Sequence, residues 1–278
     1  MSAAASISDE IVLELRALAV SVAREAGGML ADRAGQVEVA ATKSSPTDVV
    51  TEMDRRSEEL IRSRILAARP SDAILGEEGG LIGNADDAPV LWVIDPLDGT
   101  VNYLYGLHDW AVSVAAEVSG EIVAGAVYVP ARGELFSAVK GGGAVLESAD
   151  GESTLHCNAG VPLERALIGT GFGYLAGRRQ VQGEVVAAML PQVRDIRRIG
   201  VASVDLCSVA AGRLDGFYER GLNYWDWAAG ALVAAESGAA AGGLDGSPVS
   251  QSLTVVAGPG LFGPLTAALA ALDPERDA

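Results

Sequence analysis

The chain has 278 residues, 49% of them hydrophobic, and a formal net charge of −17. That length and hydrophobic share supply one large core or two subdomains and exclude a disordered chain. So acidic a surface repels phosphate backbones and anionic lipids, which disfavours direct nucleic-acid contact and membrane binding, although bound divalent cations can reverse the local field for a small anionic substrate.

From the N-terminus, MSAAASISDEIVLELRAL lacks a basic stretch leading into an apolar core, so no signal peptide is expected. No uninterrupted apolar run approaches the roughly 20 residues that cross a bilayer. A cytoplasmic protein without membrane attachment is the expectation. Ile11, Leu15, Leu18 and Val22 recur at helical spacing, with Ser6 and Asp9 available as caps, and predict a helix over about 8–33. TKSSPTDVVTEMD is loop-like around Pro46 and leads into a second helix, whose stripe is Leu60, Ile61 and Ile65 and which Pro70 ends.

The period then changes to two. DAILG, VLWVI, AVSVAAEV, IVAGAVYV and ELFSAV read as strands between Gly or Pro turns. Two helices followed by consecutive strands predict an antiparallel sheet with helices on one face. After a glycine-rich and polar stretch at 141–153, strand and helix alternate. ALIGTG, VRDIRRIG, LDGFYE and LTVVAG read as strands; RQVQGEVVAAMLPQ, VASVDLCSVAAG and WDWAAGALVAAESG as helices, with a last helix after Pro264 and SGAAAGG as helix end and loop. Alternation implies a layered α/β half. The change of pattern divides the chain into an N-terminal α+β part, 1–150, and a C-terminal α/β part, 151–278.

Three short pieces concentrate carboxylates beside glycine or aromatic residues: GEEGG from Gly76, WVIDPLDGTVNY from Trp92 and NYWDWAAGALVAAESG from Asn223. In the second, a hydrophobic strand runs into Asp95, Pro96 stiffens the turn and Gly99 permits close backbone approach. Asp95 and Asp98 at a strand end can point into one space, and two like charges held close need a cation. Hard oxygen ligands suit Mg2+. The amides of Gly99 and Thr100, opening the next segment, suit a phosphate. Each piece alone has a plainer reading: DG as a turn, GEEGG as a solvated loop, Asp226 as a helix N-cap.

Together and in this order, the pieces resemble the signatures of the inositol monophosphatase family of metal-dependent, lithium-sensitive phosphatases. KSSPTDVVTEMD resembles that family's upstream segment. RRIGVASVDLCSVAAGRLDGFYERG resembles its substrate-side segment, most closely in the bacterial SuhB-type branch. The resemblance runs from about Lys43 to Gly238. It implies the α-β-α-β-α sandwich of the sugar phosphatases, an α/β (α+β) fold, and a homodimer. It implies two or three Mg2+ ions per site, acting on a small-molecule phosphate ester. Glu77 and Asp95, with the Leu97 carbonyl, would hold the first ion; Asp95, Asp98 and Asp226 the second; Glu77 would also reach a third. Glu77, Thr100 and Asp54 would be catalytic, Thr100 paired with Asp54 orienting water. Asp98, Gly99, Thr100, Ala202, Glu219 and Asp226 would bind substrate, the Gly99 and Thr100 amides on phosphate, Ala202 and Glu219 on polyol hydroxyls. Glu78 would stand behind the ligands. Asp226 and the substrate contacts come from the C-terminal part.

Rival chemistries fit less well. DPLDGT resembles the D-x-D-G-T of haloacid dehalogenase-type phosphatases, but its aspartates are three apart rather than two. CSVAAGR, from Cys207 to Arg213, fits C-x5-R, but its apolar spacing is helical and Cys207 reads as a buried small hydrophobe. With Cys157 it makes neither a disulfide framework nor a zinc cluster. His108 and His156 pair with no serine in a triad. Of Arg197 and Arg198, one could meet substrate or form a structural ion pair, and the four tryptophans read as packing. A binding or regulatory protein with vestigial catalysis is the alternative of a different class. Within the family, histidinol phosphate, fructose bisphosphate and adenosine bisphosphate are alternative substrates.

Overall fold

The computed structural model describes residues 8–34, 39–42 and 49–277. Ser6, and residues 43–48 with Pro46, lie outside them. Helix α1 (Asp9–Ala31) is capped by Ser8, whose Oγ accepts the Ile11 N–H at 3.4 Å, and acidic Asp9 and Glu10 suit its positive end. Strands β1 (Val39–Thr42) and β2 (Val49–Thr51) form an antiparallel pair where the sequence around Pro46 had read as loop. Helix α2 (Glu52–Ala68) starts from Thr51 and Asp54, which bond reciprocally as a capping box.

The large sheet follows: β3 (Ala73–Gly76), β4 (Gly80–Ile82), β5 (Leu91–Asp98), short helix α3 (Thr100–Leu104), β6 (Ala111–Val118), β7 (Glu121–Val129), β8 (Glu134–Val139), β9 (Gly143–Ser148) and β10 (Gly151–Thr154). Its eight strands run in the order β10-β9-β8-β7-β6-β5-β3-β4, antiparallel except for β3 with β5. The C-terminal part contributes β11 (Leu167–Thr170), α4 (Ala176–Met189), β12 (Asp195–Arg197), α5 (Ala202–Ala210), β13 (Gly216–Glu219), α6 (Tyr224–Glu236), β14 (Ala240–Gly242), β15 (Thr254–Ala257) and α7 (Phe262–Ala270). Its five strands run β12-β11-β13-β15-β14, parallel through β13 and antiparallel beyond.

Side-chain alternation on the large sheet shows where the layers lie. Trp92, Ile94, Val112 and Val114 pack with Leu15, Ile61 and Ile65 of α1 and α2. Val93, Ala111, Ala115, Val127 and Phe136 point the other way, onto Val204, Leu206, Ala229 and Val233 of α5 and α6. The expectation of helices on one face is therefore corrected: this sheet is covered on both, because α5 and α6 return from the C-terminal part to bury its second apolar face. The smaller sheet repeats the device, with Phe217 and Val256 toward α5 and α6, and Ile168, Val255 and Ala257 toward α4 and α7. Five alternating layers result, α-β-α-β-α, and one core cluster takes residues from both parts of the chain.

Candidate active site

Strand β5 brings Asp95 to the layer boundary almost wholly buried, 1% exposed. Its Oδ1 accepts the Leu97 N–H at 3.0 Å, fixing the turn. Gly99 follows at φ +93°, and a Cβ there would meet Val201 Cγ2 at 2.7 Å, so only glycine fits. Thr100 then opens α3. Its Oγ1 lies 2.8 Å from Asp54 Oδ1 and 3.2 Å from the Leu97 carbonyl. Asp54 Oδ2 accepts the N–H and hydroxyl of Thr51 at 2.8 and 2.5 Å.

A cavity of about 760 Å³ opens over this turn. Its lining includes Glu77, Asp95, Leu97, Asp98, Gly99, Thr100, Ala202, Glu219 and Asp226, so the structure gathers in one place all the expected site residues except Asp54, which reaches it through Thr100. Asp226 is not the N-cap of α6. The helix starts one residue after Asn223, and Asp226 Oδ2 accepts the Asn223 N–H at 2.7 Å, leaving its other oxygen uncommitted by that bond. Glu78 is absent from the lining, and its N–H goes to Glu58.

The electrostatics are those of crowded acid. Burial, then Glu77, Asp98 and Asp226, push the Asp95 carboxyl well above its ordinary range. Burial pushes Asp98 up to about 6, against hydrogen bonds from the start of α5. Ser203 N–H and Oγ donate to Asp98 Oδ2 at 2.8 and 2.6 Å, so the positive end of that helix holds the carboxylate. Burial, Glu77 and Asp98 raise Asp226. Burial raises Glu219 to about 8, with Arg198 pulling the other way. Among the described residues no three His, Cys, Asp or Glu close on a single point as a metal cluster. The fit to a metal rests on the donor set: carboxylates facing shared space and raising one another's proton affinity are groups that divalent cations satisfy, and oxygen donors match Mg2+.

The same cavity also carries basic groups. Arg178, Arg179, Arg198 and Arg220 line it with Phe172, Tyr174 and Trp225. Arg220 pairs with Asp277 at 2.9 Å, and Arg198 lies over the Phe172 ring at 5.8 Å. The two neighbouring arginines thus part company: Arg197 pairs with Asp195 at 2.5 Å and Arg198 faces the cavity. Trp92 and Trp110 are buried packing residues, but Trp225 reaches the cavity. His108 and His156 do not line it. Cys207 is fully buried in α5, its thiol raised by burial, and Arg213 is bonded to Glu134, so C-x5-R forms no phosphate loop. Ser203 and the arginines of α4 escaped the sequence reading. The serine at the third position of the helix predicted by VASVDLCSVAAG was the available signal.

Layers alternating α-β-α-β-α, with a carboxylate-lined cavity where β5, α5 and α6 meet, define an enzyme of the sugar-phosphatase type. The profile of the inositol monophosphatase family matches residues 12–272, and the chain belongs to that family. Mycobacterium leprae inositol-1-monophosphatase is 45% identical over 281 residues, covering 95% of this chain and 96% of that one. The protein named Nus factor SuhB in Pseudomonas aeruginosa is 39% identical over 237 residues, covering 83% and 85%. The solved structure of Mycobacterium tuberculosis SuhB superposes with a TM-score of 0.80 at 42% identity, over 95% of this chain and 98% of the other.

Proposed function

We propose that the chain is a Mg2+-dependent phosphomonoesterase that releases phosphate from myo-inositol 1-phosphate and related polyol phosphates. The observation carrying this is the convergence of Glu77, Asp95, Asp98 and Asp226 with the Gly99–Thr100 turn in one cavity that also holds Glu219. Glu77, Asp95 and the Leu97 carbonyl would hold one ion, and Asp95, Asp98 and Asp226 a second, with Glu77 reaching a third. Bound Mg2+ would supply charge neutralisation and an activated water for in-line displacement at phosphorus.

The remaining work falls to the chain's own groups. The Gly99 and Thr100 amides hold the phosphate oxygens. Thr100, with Asp54 as its acceptor, orients the attacking water and takes part in moving its proton. Ala202 and Glu219 meet hydroxyls of the alcohol part. Arg178, Arg179 and Arg198 at the mouth disfavour a cationic alcohol such as histidinol and favour a neutral or anionic one. Li+ at the Asp98–Asp226 position would inhibit. A cytoplasmic homodimer is part of this reading. The net charge of −17 weighs against direct RNA contact, whatever role the Nus factor relative has.

The test is phosphate release from inositol 1-phosphate, histidinol phosphate, fructose bisphosphate and adenosine bisphosphate, with Mg2+ and with excess EDTA. Mg2+-dependent release, highest on the inositol ester and depressed by Li+ at constant ionic strength, is expected. Full activity in EDTA, or none on any polyol phosphate, overturns the reading.

A further inference from the structure

Glu58 lies on α2 one turn beyond Asp54, its side chain only 4% exposed. A carboxylate is costly to bury unless its oxygens are satisfied. Here Oε2 accepts the Glu78 N–H and Oε1 the Gly79 N–H, each at 2.8 Å. Arg62, a turn further along, pairs with Oε1 at 2.7 Å and donates to the Gly80 carbonyl at 2.8 Å. The loop presses so closely on this pair that a Cβ on Gly76 would stand 2.6 Å from Glu58 Oε2, and one on Gly79 2.8 Å from Oε1. The G-E-E-G-G spacing thereby gains a physical reason. Glycine flanks the acidic pair because the Glu58 carboxylate occupies the place of a Gly76 side chain, and the Arg62 guanidinium together with that carboxylate the place of a Gly79 side chain.

The same face of α2 reaches the second loop, where Ser57 Oγ donates to the Pro96 carbonyl at 2.7 Å. Asp54, Ser57, Glu58 and Arg62 therefore tie the turn bearing Glu77 and the turn bearing Asp95 to one helix. A ligand on a short loop binds well only if the loop is already ordered, since otherwise its ordering is charged against binding.

We propose that Glu58, seconded by Arg62, is a positioning residue that holds Glu77 where it binds a divalent cation. This rests on the metal-assisted reading above. Glu58 touches neither cation nor substrate; it acts through the backbone on the C-terminal side of Glu77.

The experiment titrates Mg2+ calorimetrically into the purified full chain, as wild type, Glu58→Gln and Arg62→Lys. In parallel it follows inositol 1-phosphate hydrolysis against Mg2+ concentration and thermal melting. Glutamine keeps the shape of Glu58 but offers one acceptor oxygen for two N–H groups. A rise of about 10-fold or more in the Mg2+ dissociation constant is expected, the usual scale for a lost supporting contact. The Mg2+ concentration for half-maximal activity should rise in step, with KM at saturating Mg2+ within about two-fold of wild type. Arg62→Lys, which keeps the charge and loses the fork, should shift binding the same way by less. Folded Glu58→Gln that binds Mg2+ as tightly as wild type, with only its melting temperature lowered, makes the pair an ordinary stabilising contact and overturns the proposal. If Glu58→Gln does not fold, Arg62→Lys decides on the same measurements. Wild type that binds no Mg2+ overturns the metal reading and this role with it; wild-type binding with unchanged variants overturns this role alone.

Discussion

The hydroxyl of Thr100 stands 2.8 Å from Asp54 Oδ1, while Asp54 Oδ2 is engaged by both donors of Thr51. With three donors among the described residues facing it, Asp54 is held as an acceptor, and it can draw the Thr100 proton toward itself. The lone pairs of Thr100 Oγ1 can then accept from a water. The dyad is built from a helix cap on one side and a strand-end turn on the other, 46 residues apart in sequence.

Removing either member should stop the same step. Thr100→Val and Asp54→Asn are each expected to lower kcat by about 100-fold or more, the scale of losing positioned proton transfer, with KM little changed. Because they act as one unit, the double variant should lose scarcely more than either single one. Losses that multiply instead would mean that the two residues act separately. Folding of each variant is checked by melting.

Asp95 carries the burden of mutual repulsion, since burial, Glu77, Asp98 and Asp226 all raise its proton affinity. Asp95→Asn should therefore melt higher than wild type in EDTA at pH 8, because burial and three neighbouring carboxylates penalise the charged form that asparagine does not have. Turnover should nearly vanish, and the rise in melting temperature that Mg2+ gives the wild type should shrink. Near-normal turnover at saturating Mg2+ would reduce Asp95 to a turn residue.

The sequence carried the layers well and the ties between them poorly. β6 and β8 were read at their observed bounds because each is an apolar run of strand length between turn residues, buried along most of its length. The β9–β10 hairpin fell in the stretch read as glycine-rich and polar. β10 is exposed at every residue, so no alternation marks it, while the turn entering β9 is held from afar, Glu236 accepting the N–H groups of Gly141 and Gly143 at 2.8 and 2.9 Å. β14 is small residues paired on β15, a register nothing local announces. At the site, five carboxylates were legible only as a set in chain order. Ser203 on Asp98 and Glu58 on the GEEGG loop were not, since these contacts span 105 and about 20 residues. One faint signal existed: Asp54, Ser57 and Glu58 share the buried stripe of α2 with Ile61 and Ile65, and polar groups on an apolar stripe call for partners.

The raised carboxylates also make the metal-free protein lose stability as pH rises from acid to near neutral. Burial lifts Asp98 to about 6 and Glu219 to about 8. A group that binds its proton more tightly when folded adds stability at low pH and withdraws it as pH climbs from its unfolded to its folded pKa. Melting temperature in EDTA should thus fall between about pH 4 and 8, Asp98 contributing from about 4 to 6 and Glu219 up to about 8. Asp98→Asn should flatten the lower part of that fall, and Mg2+ should flatten more of it by stabilising the ionised forms. A slope unaltered by Asp98→Asn would place its origin elsewhere on this acidic surface.

Glu219 ends β13 at the cavity wall, close enough to Gly171 that a side chain there would overlap its carboxyl. Glu219→Ala should lower kcat/KM for inositol 1-phosphate by about 10-fold or more, equivalent to about 1.4 kcal/mol, by leaving sugar hydroxyls unpaired. On p-nitrophenyl phosphate, which lacks those hydroxyls, the loss should be far smaller. Equal losses on both esters would assign Glu219 to support of the acidic floor, and no loss on either would make it a bystander.

Helices α5 and α6 each face two sheets, and each also delivers part of the cavity floor, Ala202 with Ser203 from one and Asp226 from the other. A substitution that displaces this layer is felt in both halves of the molecule, so the cleaving floor has little freedom to drift. The rim has far more. Residues 171–175 join β11 to the outermost helical layer, with Tyr174 and Leu175 exposed. Under the proposed function, change at these two exposed positions is expected to disturb the packed layers less than change in the floor, leaving the rim as the place where a different alcohol could be accommodated.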